Sequence, residues 1–127
     1  MAPSARAEPQ GAKKVVFHLA DAEKAVFALG NIRNHIEGTG GAGAIAIALV
    51  VHGRALNSFR ADTHGEEIKA GVAEAAKADV TLYACAHTMA AQKLTLSDLL
   101  PGFVVAEKGG VVALADLQAQ GWAYLGP

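Results

Sequence analysis

The residues able to do chemistry gather around one sulfur. Cys85 is the only cysteine among the 127 residues. It follows the apolar run Val80-Thr81-Leu82-Tyr83-Ala84 and comes shortly before a segment of helical character that starts at Thr88. A thiol between a strand and a helix faces unpaired backbone N–H groups and the positive end of the helix dipole. Such a position lowers a thiol pKa and raises the thiolate fraction. His87 lies two residues further on, and His52 ends another apolar run. Either imidazole can hydrogen-bond or protonate the sulfur. The competing reading is that a lone cysteine serves as a small buried hydrophobe. Its place at a strand end beside histidines favours chemistry.

His52, Cys85 and His87 also make a set of soft metal donors. Their spacing, H-x32-C-x-H, is not a recurring zinc pattern, and no metal ligand is assigned. His18 reads as a partly buried, hydrogen-bonded residue near the end of the first strand. His35 falls on the polar side of a helix, and His64 precedes a helix as a cap.

Gly38, Gly40 and Gly43 satisfy G-x-G-x-x-G letter for letter. A dinucleotide fingerprint must follow a strand and open a helix, so that the helix N-terminus meets the pyrophosphate. This string follows a helix and opens a strand, and it lacks the acidic partner in the next strand. It reads as a connector, and no cofactor is expected.

The elements that position these residues alternate in type. Val15 to Leu19 is a β-branched and aromatic run suited to a buried strand. Asp21 is placed to cap a helix in which Ala25, Leu29, Ile32 and Ile36 share one face. Ala44 to Val51 forms the second strand, followed by a short helical or irregular piece from Ala55 to Phe59. Gly65 to Ala78 is an amphipathic helix, Asp79 to Ala84 the third strand, and Thr88 to Leu94 a short helix. Phe103 to Ala106 is the fourth strand. Gly109-Gly110 opens a helix with Val111, Leu114 and Leu117 inward, and Trp122 to Leu125 ends the chain as a fifth strand. This alternation predicts a single three-layer α/β/α domain around a five-stranded, mostly parallel sheet. In such sheets ligands bind beyond the C-terminal strand ends, the rim that carries Cys85, His87 and His52.

Composition narrows the function further. Hydrophobic residues make up 52% and charged residues 18%, with a net charge of -1. That balance offers no electrostatic footprint for nucleic acid or anionic lipid. The longest apolar run, Ala42 to Val51, falls short of the roughly 20 residues that span a bilayer. The apolar excess therefore points to a sheet buried on both faces and to contacts between copies. A lone thiol excludes an intrachain disulfide framework and fits a reducing, cytoplasmic setting. Residues 1–12, rich in breakers, read as a disordered lead-in without a secretory signal.

Several segments together resemble the DsrE/DsrF-like family: CAHTM at Cys85 to Met89, LLPGF at Leu99 to Phe103, and GGVVALADLQAQGWAYLGP at Gly109 to Pro127. KVVFHLAD, NIRNH and IALVVHG earlier in the chain fit the same pattern, which extends from about Lys14 to Pro127. The resemblance implies one parallel α/β/α domain assembled into homotrimers or homohexamers. It also implies a sulfur-relay protein that holds sulfane sulfur as a persulfide on Cys85, exchanging it with donor and acceptor proteins rather than acting as a classical turnover enzyme. His87 and His52 as proton partners come from their position on the rim. Two other readings use the same surface: a non-enzymatic small-ligand or metal-binding homo-oligomer, and a recognition subunit without chemistry.

Overall fold

The computed structural model describes residues 13–127; the expected lead-in over residues 1–12 lies outside them. The strands are β1 (Lys13–Leu19), β2 (Ile45–Val51), β3 (Thr81–Cys85), β4 (Phe103–Ala106) and β5 (Ala123–Leu125). The helices are α1 (Ala25–Gly38), α2 (Glu66–Lys77), α3 (Ala86–Gln92) and α4 (Gly110–Ala119). Short 3-10 turns occupy Ala22–Lys24, Gly53–Phe59 and Leu96–Asp98. The five strands form one sheet in the order β4-β3-β2-β1-β5, and every pairing is parallel.

This order follows from the two faces of each strand. Val15, Phe17 and Leu19 of β1, with Ile47, Leu49 and Val51 of β2, point into the larger core beneath α1, α2 and α3. The alternate residues Val16, Ala48 and Val50 point the other way and meet Leu114 of α4. β1 to β4 are thus laid down in succession with their helices in one layer. α4 then crosses the opposite face and delivers β5 to the far edge, beside β1. The chain leaves β3 toward one layer and leaves β4 toward the other. That change of side opens a crevice between the C-terminal ends of these neighbouring strands, where open α/β sheets bind ligands.

Four local expectations need correction. Val111 is not inward but 69% exposed. The buried stripe of α4 runs through Gly110 and Leu114, because a glycine at the first position brings the helix backbone down onto the sheet. Asp21 makes no side-chain cap; it precedes the 3-10 turn and pairs instead with Lys24 at 3.5 Å. The helix after Cys85 begins at Ala86, closer to the sulfur than the expected start at Thr88. His64 is exposed, and Gly65 rather than His64 occupies the cap position of α2.

Candidate active site at the ends of β2 and β3

Cys85 is both the last residue of β3 and the residue before α3. Its backbone stays extended, at φ -64° and ψ 121°, so the chain turns into the helix immediately beyond the sulfur. The residue is 5% exposed. Burial pushes the thiol pKa up, but the opposing contributions prevail and hold it below the ordinary cysteine value. The backbone amide of Thr88 acts most strongly, followed by the amide of Gly110, the Thr88 hydroxyl and the amide of His87. The neutral thiol closes no short cap bond to α3, as suits a weak sulfur acceptor. A thiolate in the same place accepts far more strongly.

The donors come from both layers. Thr88 and His87 belong to the first turn of α3, below the sheet, and Gly110 begins α4, above it. Gly110 can reach the sulfur because it lacks a side chain: a methyl group there would lie 3.3 Å from the His52 Cβ and 3.4 Å from the Cys85 Cβ. Gly109, at φ 99° and ψ 161°, adopts a conformation essentially closed to other residues. It also gives the His87 ring its resting place, since a Cβ on Gly109 would lie 2.5 Å from the His87 Cδ2. The Thr88 hydroxyl accepts a hydrogen bond from the Gly53 amide at 2.9 Å. With an oxygen lone pair occupied in this way, its own proton is left free for the sulfur.

The site residues expected from sequence share this rim. Val51 pairs with Ala84, so His52 and Cys85 are the next residues along the two chains, and a methyl group on Gly110 would lie 3.3 Å from the His52 Cβ and 3.4 Å from the Cys85 Cβ. The His52 amide continues the sheet by bonding the Leu19 carbonyl at 3.1 Å. His87 places its amide toward the sulfur and its exposed ring against Gly109.

Sequence reasoning missed two features. Thr88 stands three residues after the cap position, where a side chain and amide turn back toward the cap residue; the C-x-x-T spacing carried that signal. The second is a hydrogen-bonded chain on the same face. His18 Nε2 lies 2.6 Å from His52 Nε2, and His18 Nδ1 meets the Tyr124 hydroxyl. Burial, and then the neighbouring His52, lower the His18 pKa, against a smaller opposing pull from Asp21. Neither histidine is linked to the other by sequence spacing; β1–β2 pairing brings them together. Among the described residues, no cluster of three or more His, Cys, Asp or Glu side chains could hold a metal ion. No helix there is long and apolar enough to cross a membrane.

Fold and site define a parallel α/β protein with its single cysteine at the topological switch point, where two helices begin. The chain belongs to the DsrE/DsrF-like family, whose model matches residues 11–127. Among solved structures it is similar to MTH1491 from Methanobacterium thermoautotrophicum, described as a protein of unknown function. The two are 28% identical with a TM-score of 0.79, covering 91% of this chain and 99% of that one. The ychN protein from E. coli shares the fold at 17% identity, with a TM-score of 0.73 and the same coverage. No curated protein sequence matches the chain significantly.

Proposed function

We propose that the protein is a sulfur carrier that holds sulfane sulfur as a persulfide on Cys85. The observation that carries this reading is the place of the single cysteine, at the end of β3 and the start of α3 with the first residue of α4 packed against it; family membership is consistent with sulfur relay. The Cys85 thiolate attacks the terminal sulfur of a donor persulfide. A new S–S bond forms at Cys85 as the donor S–S bond breaks, and the donor leaves as a thiolate that takes up a proton. Delivery to an acceptor thiolate is the same exchange in reverse, so no external oxidant or reductant is required. With one cysteine per chain, no second thiol of the subunit can release the sulfur by closing a disulfide. The donor amides stabilise thiolate and persulfide anion alike, and His87 and His52 are the candidate proton partners. A reducing, cytoplasmic setting suits this chemistry. Exposed Val104, Val111 and Val112 around α4 fit an assembly of copies, a homotrimer or homohexamer.

Intact-mass spectrometry after incubation with a persulfide donor tests the proposal. A gain of about 32 Da, one sulfur atom, is expected in the wild type and is absent from Cys85→Ser. A wild type that gains no sulfur, or a gain that survives Cys85→Ser, overturns it.

A further inference from the structure

We propose that Tyr124, His18 and His52 form a proton relay between solvent and the Cys85 sulfur, with His18 and Tyr124 as the positioning residues of His52. The inference rests on the carrier reading and adds to it the route by which protons reach a buried thiol. The two imidazole planes are 11° apart with ring centres 4.8 Å apart. That separation exceeds the 2.6 Å N–N distance by about what two ring radii add, so the rings meet end to end through Nε2 rather than face to face. One Nε2 donates and the other accepts. The far nitrogen of His18 is held by Tyr124, which leaves Nδ1 as the other nitrogen of His52; the His52 and Cys85 side chains start side by side, since a methyl group on Gly110 would lie 3.3 Å from the His52 Cβ and 3.4 Å from the Cys85 Cβ.

The two ends of the chain differ in access. Tyr124 is 43% exposed on the edge strand, whereas Cys85 is almost enclosed. The outer end opens on a small pocket of about 110 Å³ that His18, Asp21, Lys24 and Tyr124 line. The charged groups there, Asp21 and Lys24, are paired with each other. The inner end, His52, starts beside Cys85, both Cβ atoms lying within 3.4 Å of a methyl group placed on Gly110, with His87 on the adjoining turn. In one direction the Cys85 S–H bond breaks as an N–H bond forms at His52 Nδ1. The Nε2 proton of His52 passes to His18 Nε2, the His18 Nδ1 proton to the Tyr124 oxygen, and the hydroxyl proton to water. One proton enters and one leaves, and both imidazoles end neutral in the opposite tautomer. Run backward, the chain protonates the sulfur that departs during transfer. Burial, which keeps His18 neutral, preserves this capacity.

The test uses the full chain and two measurements. Tyr124→Phe, His18→Asn and His52→Gln are loaded with persulfide, and single-turnover release to cysteine is followed from pH 5 to 9. The expected result is that each variant loads more slowly but still to completion, with release slowed about tenfold or more and its imidazole-dependent pH limb lost. The double variant His18→Asn/His52→Gln is expected to be no slower than His52→Gln. Full loading with an unchanged pH profile overturns the relay while the carrier stands. In parallel, histidine-selective 15N NMR of unloaded protein reads the chain without sulfur. Tyr124→Phe is expected to shift the His52 nitrogens through His18, and Cys85→Ser to shift His52 Nδ1. If the wild type does not load, the carrier reading fails, and NMR signals of His52 insensitive to both substitutions overturn the relay independently.

Discussion

Gly110 and Cys85 touch across the boundary between two layers: a methyl group on Gly110 would sit 3.4 Å from the Cys85 Cβ. The contact joins the first residue of α4 to the last residue of β3, elements separated by the crossing of the chain to the other face. It lets the amide of a second helix face a sulfur that α3 already serves. A thiol held by donors from one side only would keep more of its burial penalty.

Gly110→Ala is therefore expected to act on stability and chemistry together. The added methyl is tight against His52, Cys85 and Val50 at once, and overpacking of this kind costs about 1–3 kcal/mol. Relief comes by lifting the start of α4, which withdraws its amide from the sulfur. Urea unfolding should show the loss, and the pH midpoint of iodoacetamide alkylation at Cys85 should rise.

Thr88 separates hydroxyl from backbone contributions. Thr88→Val keeps the shape and the amide but removes the hydroxyl that acts on Cys85 and accepts from Gly53. The alkylation midpoint should move up toward the free-thiol value of about 8.5. The unpaired Gly53 amide should cost about 1–3 kcal/mol in unfolding experiments. Thr88→Ser, which retains the hydroxyl, should restore most of both.

The lowered His18 pKa gives a stability effect of definite sign. The folded protein disfavours His18 protonation, so the unfolded chain binds more protons between the folded value and the ordinary value near 6.5. Stability from this group is complete above about pH 6.5 and is lost as pH falls through the folded value. Melting temperature should fall on acidification below pH 6.5, and His18→Asn should flatten that part of the curve.

Periodicity and turn chemistry revealed the alternating elements because each strand buries its own alternate residues and each helix its own stripe. Val15 to Leu19 and Ile45 to Val51 are nearly continuous apolar runs, as strands covered on both faces must be. Cys85 was legible for the same reason: strand ends in parallel sheets face one rim. The His18–His52–Tyr124 chain was not legible, because it depends on β5 returning beside β1, a matter of which way α4 crosses. The second donor layer stayed hidden as well. A Gly-Gly pair announces a helix start, but only the packing shows what that start is aimed at.

The inward stripe of α4 offers a direct check on where sequence and structure part. Periodicity allows Val111, Leu114 and Leu117 to share a face, and a moderately apolar helix does not choose between neighbouring stripes. Gly110 makes the choice, since the point of closest approach must be the residue without a side chain. Leu114, 7% exposed, then carries the contact with Val16, Ala48 and Val50. Leu114→Ala should cost about 2–5 kcal/mol, whereas Val111→Ser in dilute protein should stay within about 0.5 kcal/mol of wild type. Chemical denaturation of both variants decides between the stripes, and equal losses would place Val111 back against the sheet.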